Sequence, residues 1–338
     1  MNLLPDSEQT QLLDAAIDFL RKEAPVRGGE ALAAVRARMG RPFWKNIAEL
    51  GWIGLGLSED DGGVGYTLAE EALFFREFGR YLVSPAILGA VLGARVAAQA
   101  GKAEIAEGII AGDKIVGVAI NLRDARVDEK VSGSYQVIEG EGADFILFCS
   151  EDGAALVAAS QLGAGRDGVC LDDRVGLTNF ALSGAAAAAC VTSSDILRRG
   201  MILTAAMLAG VAEASRDVAV EYAKTRVQFG QAIGGFQAIK HRLSDMAVRC
   251  EAATSLVFHA AIAVRDGLPI AALDAASAKA FAGDAAMENA SGSVQVHGGM
   301  GVTEQMTPHL YVKRARLLDQ LFGDHRSHYV AALAAPAA

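Results

Sequence analysis

Cysteine is scarce. The 338 residues hold four (Cys149, Cys170, Cys190 and Cys250), none in a C-x-x-C pair and none in a Cys/His spacing that builds a zinc site. A disulfide scaffold and a zinc module are excluded, and buried thiols in a reducing, cytoplasmic setting are expected. Positive charge is also short, with 31 Lys+Arg against 40 Asp+Glu for a net charge of −9. That balance argues against a nucleic-acid backbone as the partner. No long apolar run exists either: the most apolar stretch, Met201 to Ala212, falls short of the ~20 residues of a membrane span. The start of the chain, Met1-Asn2-Leu3-Leu4-Pro5-Asp6, has no basic stretch followed by an apolar one, so no secretory leader is expected. Strand–helix–strand alternation and fixed-period repeats are missing too, which removes a Rossmann sheet and a solenoid.

What is present is apolar mass. Hydrophobic residues make up 52% and charged residues 21%, enough for a large core. The length exceeds the ~250–300 residues at which one core stops growing, so more than one domain is expected. Leu12, Leu13, Ala16, Ile17 and Leu20 recur at helical spacing between Glu8 and Arg21. Further helices are predicted near Phe43–Leu50, over Leu68–Gly79 after a cap at Ser58 or Thr67, and from Pro85 to near Gly101. Between them, Gly51–Tyr66 is a glycine-punctuated loop, either substrate-facing or a plain connector. From Asp113 the texture changes. Lys114–Ile120, Ser132–Gly140, Phe145–Phe148 and Ala154–Ala158 read as strands, the last two split by the turn pair Asp152-Gly153. Helical pattern returns at Asp195, with long alanine-rich stretches over 201–225, 236–265 and 270–291 spaced like a bundle. The reading is mainly α with a small β domain: residues 1–112 helical, 113–194 a shortened β domain, 195–338 a helical bundle.

Two segments carry chemistry. In Arg226–Met246 a long helix ends near Gly230, Gly234-Gly235 break the chain and Phe236 opens the next helix. Arg226 there can fork onto a phosphate, with Gln228 and Gln237 donating from the same loop. A plain helical hairpin whose arginine caps carbonyls is the competing reading. In Gln295-Val296-His297-Gly298-Gly299-Met300-Gly301, the glycines let a backbone approach a ligand and expose amides as an anion cradle, or form a simple loop.

Together these runs resemble the acyl-CoA dehydrogenase family. Arg226, Phe229, Gly230, Phe236, Gln237, Lys240, His241, Leu243, Asp245 and Met246 match its helix-junction signature. Gln295, His297, Gly298, Gly299, Gly301, Thr303 and Glu304 match its glycine loop, and Leu50-Gly51-Trp52 with Gly62–Gly65 its N-terminal domain. The resemblance implies a helical N-terminal domain, a reduced middle β-barrel and a C-terminal four-helix bundle. It also implies FAD bound between subunits, an acyl-CoA substrate and an electron-transfer flavoprotein as acceptor. By position, Arg226, Gln228, Phe229, Gln237, Gln295, Gly298 and Gly299 would grip the diphosphate–adenosine half of a flavin whose ring sits in the neighbouring subunit.

The chain also departs from the family. Removal of the α-proton needs a carboxylate. At one family station for it the sequence reads Phe322 or Gly323; at the other, near Gly200, the neighbours are Arg198, Arg199 and Met201. Asp324 is the nearest substitute, or an ordinary capping acid. His325 and His328 are read as a solvated helix start rather than a metal pair, and no metal is expected. A T-E-P-x-x-G-S-D-like segment is missing after the first strand, where Asn121–Arg126 stands. The chain thus keeps what reaches toward a neighbour's flavin and lacks what serves its own. That pattern resembles one subunit of the heteromeric bacterial acyl-CoA dehydrogenases of steroid and other CoA-ester degradation, paired with a related subunit carrying the glutamate. A homo-oligomer using Asp324, a non-catalytic CoA-ester-binding or scaffold relative, and a flavin monooxygenase or nitroalkane oxidase are the alternatives.

Overall fold

The computed structural model describes residues 5–334. Residues 1–4, part of the segment read for a leader, lie outside the described residues. In chain order the elements are α1 Ser7–Glu23, α2 Leu32–Arg38, α3 Arg41–Glu49, α4 Leu68–Arg80, α5 Ala86–Gln99 and α6 Ala103–Ile110. Six strands follow: β1 Val116–Arg126, β2 Lys130–Ile138, β3 Phe145–Cys149, β4 Ala154–Ala158, β5 Arg166–Asp167 and β6 Leu177–Val191. Then come α7 Asp195–Thr225, β7 Val227–Gln228, β8 Gln231–Ala232, α8 Gln237–Arg265, α9 Ala271–His297, α10 Pro308–Gln320 and α11 His325–Ala334.

The helix ends follow from local chemistry. Asp6 closes a capping box over α1, its side chain accepting from Gln9 N at 2.9 Å while Gln9 Oε1 takes Asp6 N–H. Before α4, Thr67 N donates to Glu70 Oε2 at 2.9 Å and Thr67 Oγ1 accepts from Ala69 N, and Pro85 stands just ahead of α5.

The described chain divides into two compact units: residues 5–31, 72–83 and 202–334 form one, and residues 32–71 and 84–201 the other. In the second unit the strands run β2-β1-β3-β4-β6-β5, and an added β2–β6 pairing closes five of them into a small barrel. All pairs are antiparallel except β1–β3. The closing strand is β6, whose first half pairs with β2 and whose second half, through Ala187–Val191, pairs with β4. Tyr135, Val137, Ile146, Phe148, Ala155 and Val157 fill the interior, Tyr135 and Phe148 edge to face at 4.8 Å. Helix α5 lies across this barrel and is buried almost all round, which explains its uniform apolarity. Gly89 and Gly93 allow the approach: a methyl on Gly89 would sit 2.6 Å from Val116 O.

In the first unit α9 packs against α8, α10 and α11, and Asn289 Nδ2 ties it to two helices by donating to Met246 O at 3.0 Å and Ala212 O at 3.3 Å. The expected C-terminal bundle is present, with α11 added beside it. Where α4 meets α7, Gly79 faces the Met207 carbonyl and Gly210 the Arg76 carbonyl so closely that neither site has room for a methyl. Arg80 locks the same contact, donating to Glu213 and Asp217 at 2.8 Å each. Helix α8 is long and apolar enough, by length and composition, to cross a membrane, a match the run-length reading did not anticipate. Its buried side, from Met246 through Cys250 and Val257 to Ala263, belongs to the bundle core.

Candidate functional site

The Arg226 segment is built by a sharp reversal. Helix α7 stops at Thr225, and β7 and β8 pair as a miniature hairpin, Val227 opposite Ala232 and Gln228 opposite Gln231. The two turn residues, Phe229 and Gly230, are both left-handed at φ 51° and 80°. That is unremarkable for glycine and costly for phenylalanine. Phe229 is 93% exposed, with Phe236 edge-on at 6.1 Å. The second segment lies partly on a helix: Gln295, Val296 and His297 form the last turn of α9, and Gly298 turns out of it at φ 60°.

The bundle brings these segments together. Arg226, Gln228, Phe229, Gln295, Gly298 and Gly299, six of the seven residues named above for a flavin nucleotide, line one open groove of about 600 Å3. The seventh, Gln237, opens α8 next to the lining residue Phe236 and is not part of the lining. Arg226 has no side-chain partner among the described residues. Gln228 donates one amide N–H to Val227 O at 2.8 Å, leaving its second N–H and its carbonyl oxygen. A methyl on Gly298 or Gly299 would meet nothing within 4 Å, so the backbone there borders open space. The Arg226 guanidinium, the Gln295 carboxamide and a glycine backbone that borders open space suit a diphosphate, so the residues present fit the nucleotide half of FAD.

Sequence reasoning passed over Tyr222 and gave no role to His297. The two rings stack at 4.0 Å and 23° in the groove wall. His297 Nδ1 lies 2.7 Å from Ser293 O, and burial holds its imidazole below the ordinary 6.5. His297 stood in the glycine-loop motif. Tyr222, one helical turn before Arg226, gave no signal.

The two stations for a base are occupied otherwise. Near Gly200, Arg199 forms a buried ion pair with Glu71, and Arg95 donates to the Gly56 carbonyl close by. Glu71 is 1% exposed and sits against Gly56, where no larger residue fits. The glycine-punctuated loop accordingly folds on itself, with Val64 N on Gly54 O at 3.0 Å and Gly65 N on Leu57 O at 2.8 Å. At the other station, Phe322 and Gly323 are left-handed at φ 56° and 97°. Fully buried Lys279 donates to Asp319 O at 3.0 Å and Gly323 O at 3.1 Å. Asp324 caps α11, accepting from Ser327 N at 2.8 Å, and that bond holds its carboxyl below the usual carboxylate range. A solvated start to α11 is incorrect: His325 Nδ1 is 2.8 Å from Asp319 Oδ2, and His328 is 7% exposed with Nε2 3.0 Å from Phe322 O. Both histidines are drawn inward by the turn they brace. Among the described residues, no three His, Cys, Asp or Glu are grouped to hold a metal. Cys149 and Cys250 are buried, Cys170 and Cys190 partly so.

Comparison with known proteins agrees with this layout. The model of the acyl-CoA dehydrogenase N-terminal domain matches residues 6–112, and that of the acyl-CoA dehydrogenase C-terminal domain matches residues 191–328. The chain is similar to acyl-CoA dehydrogenase IpdE2 of Mycolicibacterium smegmatis, 32% identical over 95% of this chain and 96% of that one. Among solved structures it resembles the ChsE4-ChsE5 complex from Mycobacterium tuberculosis, with TM-score 0.85 and 25% identity over 100% of both chains. The Tcur3481-Tcur3483 steroid ACAD shares the fold, with TM-score 0.81 and 23% identity over 96% of both. Members of this family are FAD-binding oxidoreductases. With both terminal domains matched and a full-length relative at this identity, the chain belongs to the acyl-CoA dehydrogenase family.

Proposed function

We propose that this chain is the nucleotide-holding, base-deficient subunit of a heteromeric α2β2 acyl-CoA dehydrogenase, which desaturates a CoA thioester between its α and β carbons. The carrying observation is an asymmetry. The groove around Arg226 presents an unspent guanidinium and open glycine backbone, while both base stations hold cations and carbonyls in place of an available carboxylate. When bound, FAD supplies the hydride acceptor for the β-hydrogen. Arg226 would neutralise the diphosphate, with Gln295 and the backbone at Gly298 and Gly299 fixing its position. The α-proton would go to a glutamate on a related partner chain, and electrons would leave to an electron-transfer flavoprotein.

Support for a two-chain assembly comes from the likeness to one chain of the ChsE4-ChsE5 complex along the full length. A steroid-derived acyl group is proposed from the steroid ACAD that shares the fold. A cytoplasmic location is proposed from the scarcity of cysteine, with four in 338 residues and no C-x-x-C spacing. The capping role of Asp324 favours the heteromer over a homo-oligomer using that residue as base.

Co-purification of the chain with the product of the adjacent reading frame, followed by flavin absorbance and dye reduction with CoA thioesters, tests the proposal. The pair is expected to be yellow and active, and the isolated chain inactive. Full flavin occupancy and turnover in the chain alone would overturn it.

A further inference from the structure

The groove contains a polar group that phosphate chemistry does not account for. His297 is 5% exposed and fixed on two sides: one face stacks on Tyr222 at 4.0 Å, and Nδ1 lies 2.7 Å from Ser293 O. A carbonyl oxygen can only accept, so Nδ1 carries the proton in that bond. In the neutral ring Nε2 is then a lone-pair acceptor, and it takes no protein partner among the described residues. The cation for the diphosphate is already present in Arg226 on the same wall.

Resting on the flavin-nucleotide reading of this groove, we infer that His297 is a positioning residue for the nucleoside: its Nε2 accepts a hydrogen bond from an uncharged donor of adenosine, a ribose hydroxyl or the adenine amino group. Tyr222 and Ser293 fix the ring so that the acceptor has one direction. Burial, which disfavours the imidazolium, keeps it an acceptor at neutral pH. Selection works by rejection, because a nucleotide lacking the donor leaves a partly desolvated nitrogen unpaired.

The test is ADP binding to the full chain by calorimetry, in the native protein and in His297→Phe, which retains a ring to stack on Tyr222. His297→Gln, which retains an acceptor, serves as the second variant. Three analogues, IDP without the adenine amino group and 2′-deoxy-ADP and 3′-deoxy-ADP each without one ribose hydroxyl, distinguish the donors. ADP is expected to bind His297→Phe about tenfold more weakly, the scale of one buried hydrogen bond, with His297→Gln in between. One analogue should bind the native protein as weakly as ADP binds His297→Phe, and lose nothing further in that variant. Equal ADP binding by native protein and His297→Phe overturns the inference and leaves the nucleotide reading standing. Equal losses for ADP and all three analogues reveal a merely structural ring and also overturn it. Failure of the native chain to bind ADP at all removes the nucleotide reading itself.

Discussion

Lys279 Nζ lies 3.9 Å from Asp319 Oδ1, and both side chains are sealed from solvent, at 0% and 3% exposure. Burial pushes the Lys279 amine down to about 8 from 10.5, against the pull of Asp319 and Asp324. Between those values the unfolded chain holds a proton that the folded chain has released, so this group makes stability rise with pH. Burial pushes the thiols of Cys149 and Cys250 up from 9.0, and they act in the opposite sense above that pH. Denaturant melts are therefore expected to show the native protein gaining stability from pH 8 to 9 relative to Lys279→Met. Parallel profiles for the two proteins would count against a titrating Lys279.

The Arg226 side chain makes no hydrogen bond or ion pair among the described residues, so Arg226→Ala should leave the melting temperature nearly unchanged. Flavin retention by the assembled enzyme should fall by about 10- to 100-fold, the range of a charge-assisted bond to a phosphate. Dialysis followed by flavin absorbance measures it. Undiminished retention would remove Arg226 from the site.

Asp324→Asn keeps a good helix cap and removes the carboxylate. Turnover of the assembled enzyme is expected to stay within twofold, while Asp324→Ala should cost about 1 kcal/mol of stability through the lost cap. A collapse of activity in Asp324→Asn, with stability intact, would restore this residue as the base.

Arg199→Met strands the Glu71 carboxylate in a dry site and should destabilise the fold by about 3–5 kcal/mol. The double change with Glu71→Leu should recover most of that loss, because neither charge is then left unpaired. Urea midpoints of the three proteins decide it; additive losses would mean that the two residues act separately.

Gly210→Ala places a methyl against the Arg76 carbonyl, which belongs to the backbone and cannot rotate away. A loss of about 3 kcal/mol is expected from the forced separation of the helices. A neutral result in thermal melts would show that the α4–α7 contact can open at little cost.

What could be read in the sequence was what local chemistry decides. The bounds of β4 at Ala154 and Ala158, the start of α7 at Asp195 and the start of α5 after Pro85 follow from an apolar run, turn residues and proline. The groove residues, more than 70 positions apart at their extremes, were legible only because two familiar motifs marked them. The rest depended on distant partners. Ala185–Ala189 favour helix by propensity, yet they complete β6 because β2 and β4 offer ladders on either side. Helix α2 buries only Val35, and α6 is a short segment with little period to detect. Nothing in the local sequence marks Glu71 as interior; its partner Arg199 lies 128 positions away. The histidines of α11 were misjudged for the same reason, since Asp319 and the Phe322 carbonyl draw them in from the preceding turn.

The ring formed when β6 reaches both β2 and β4 has a consequence for how this half of the molecule comes apart. A sheet with free margins can fray one ribbon at a time and can recruit a stray ribbon from another molecule. Here, among the described residues, the marginal piece is the two-residue β5. Loosening β6 would break two ladders together, so the barrel should hold or give way as one body. Amide protons on all five of its long strands should then exchange at a common, slow rate.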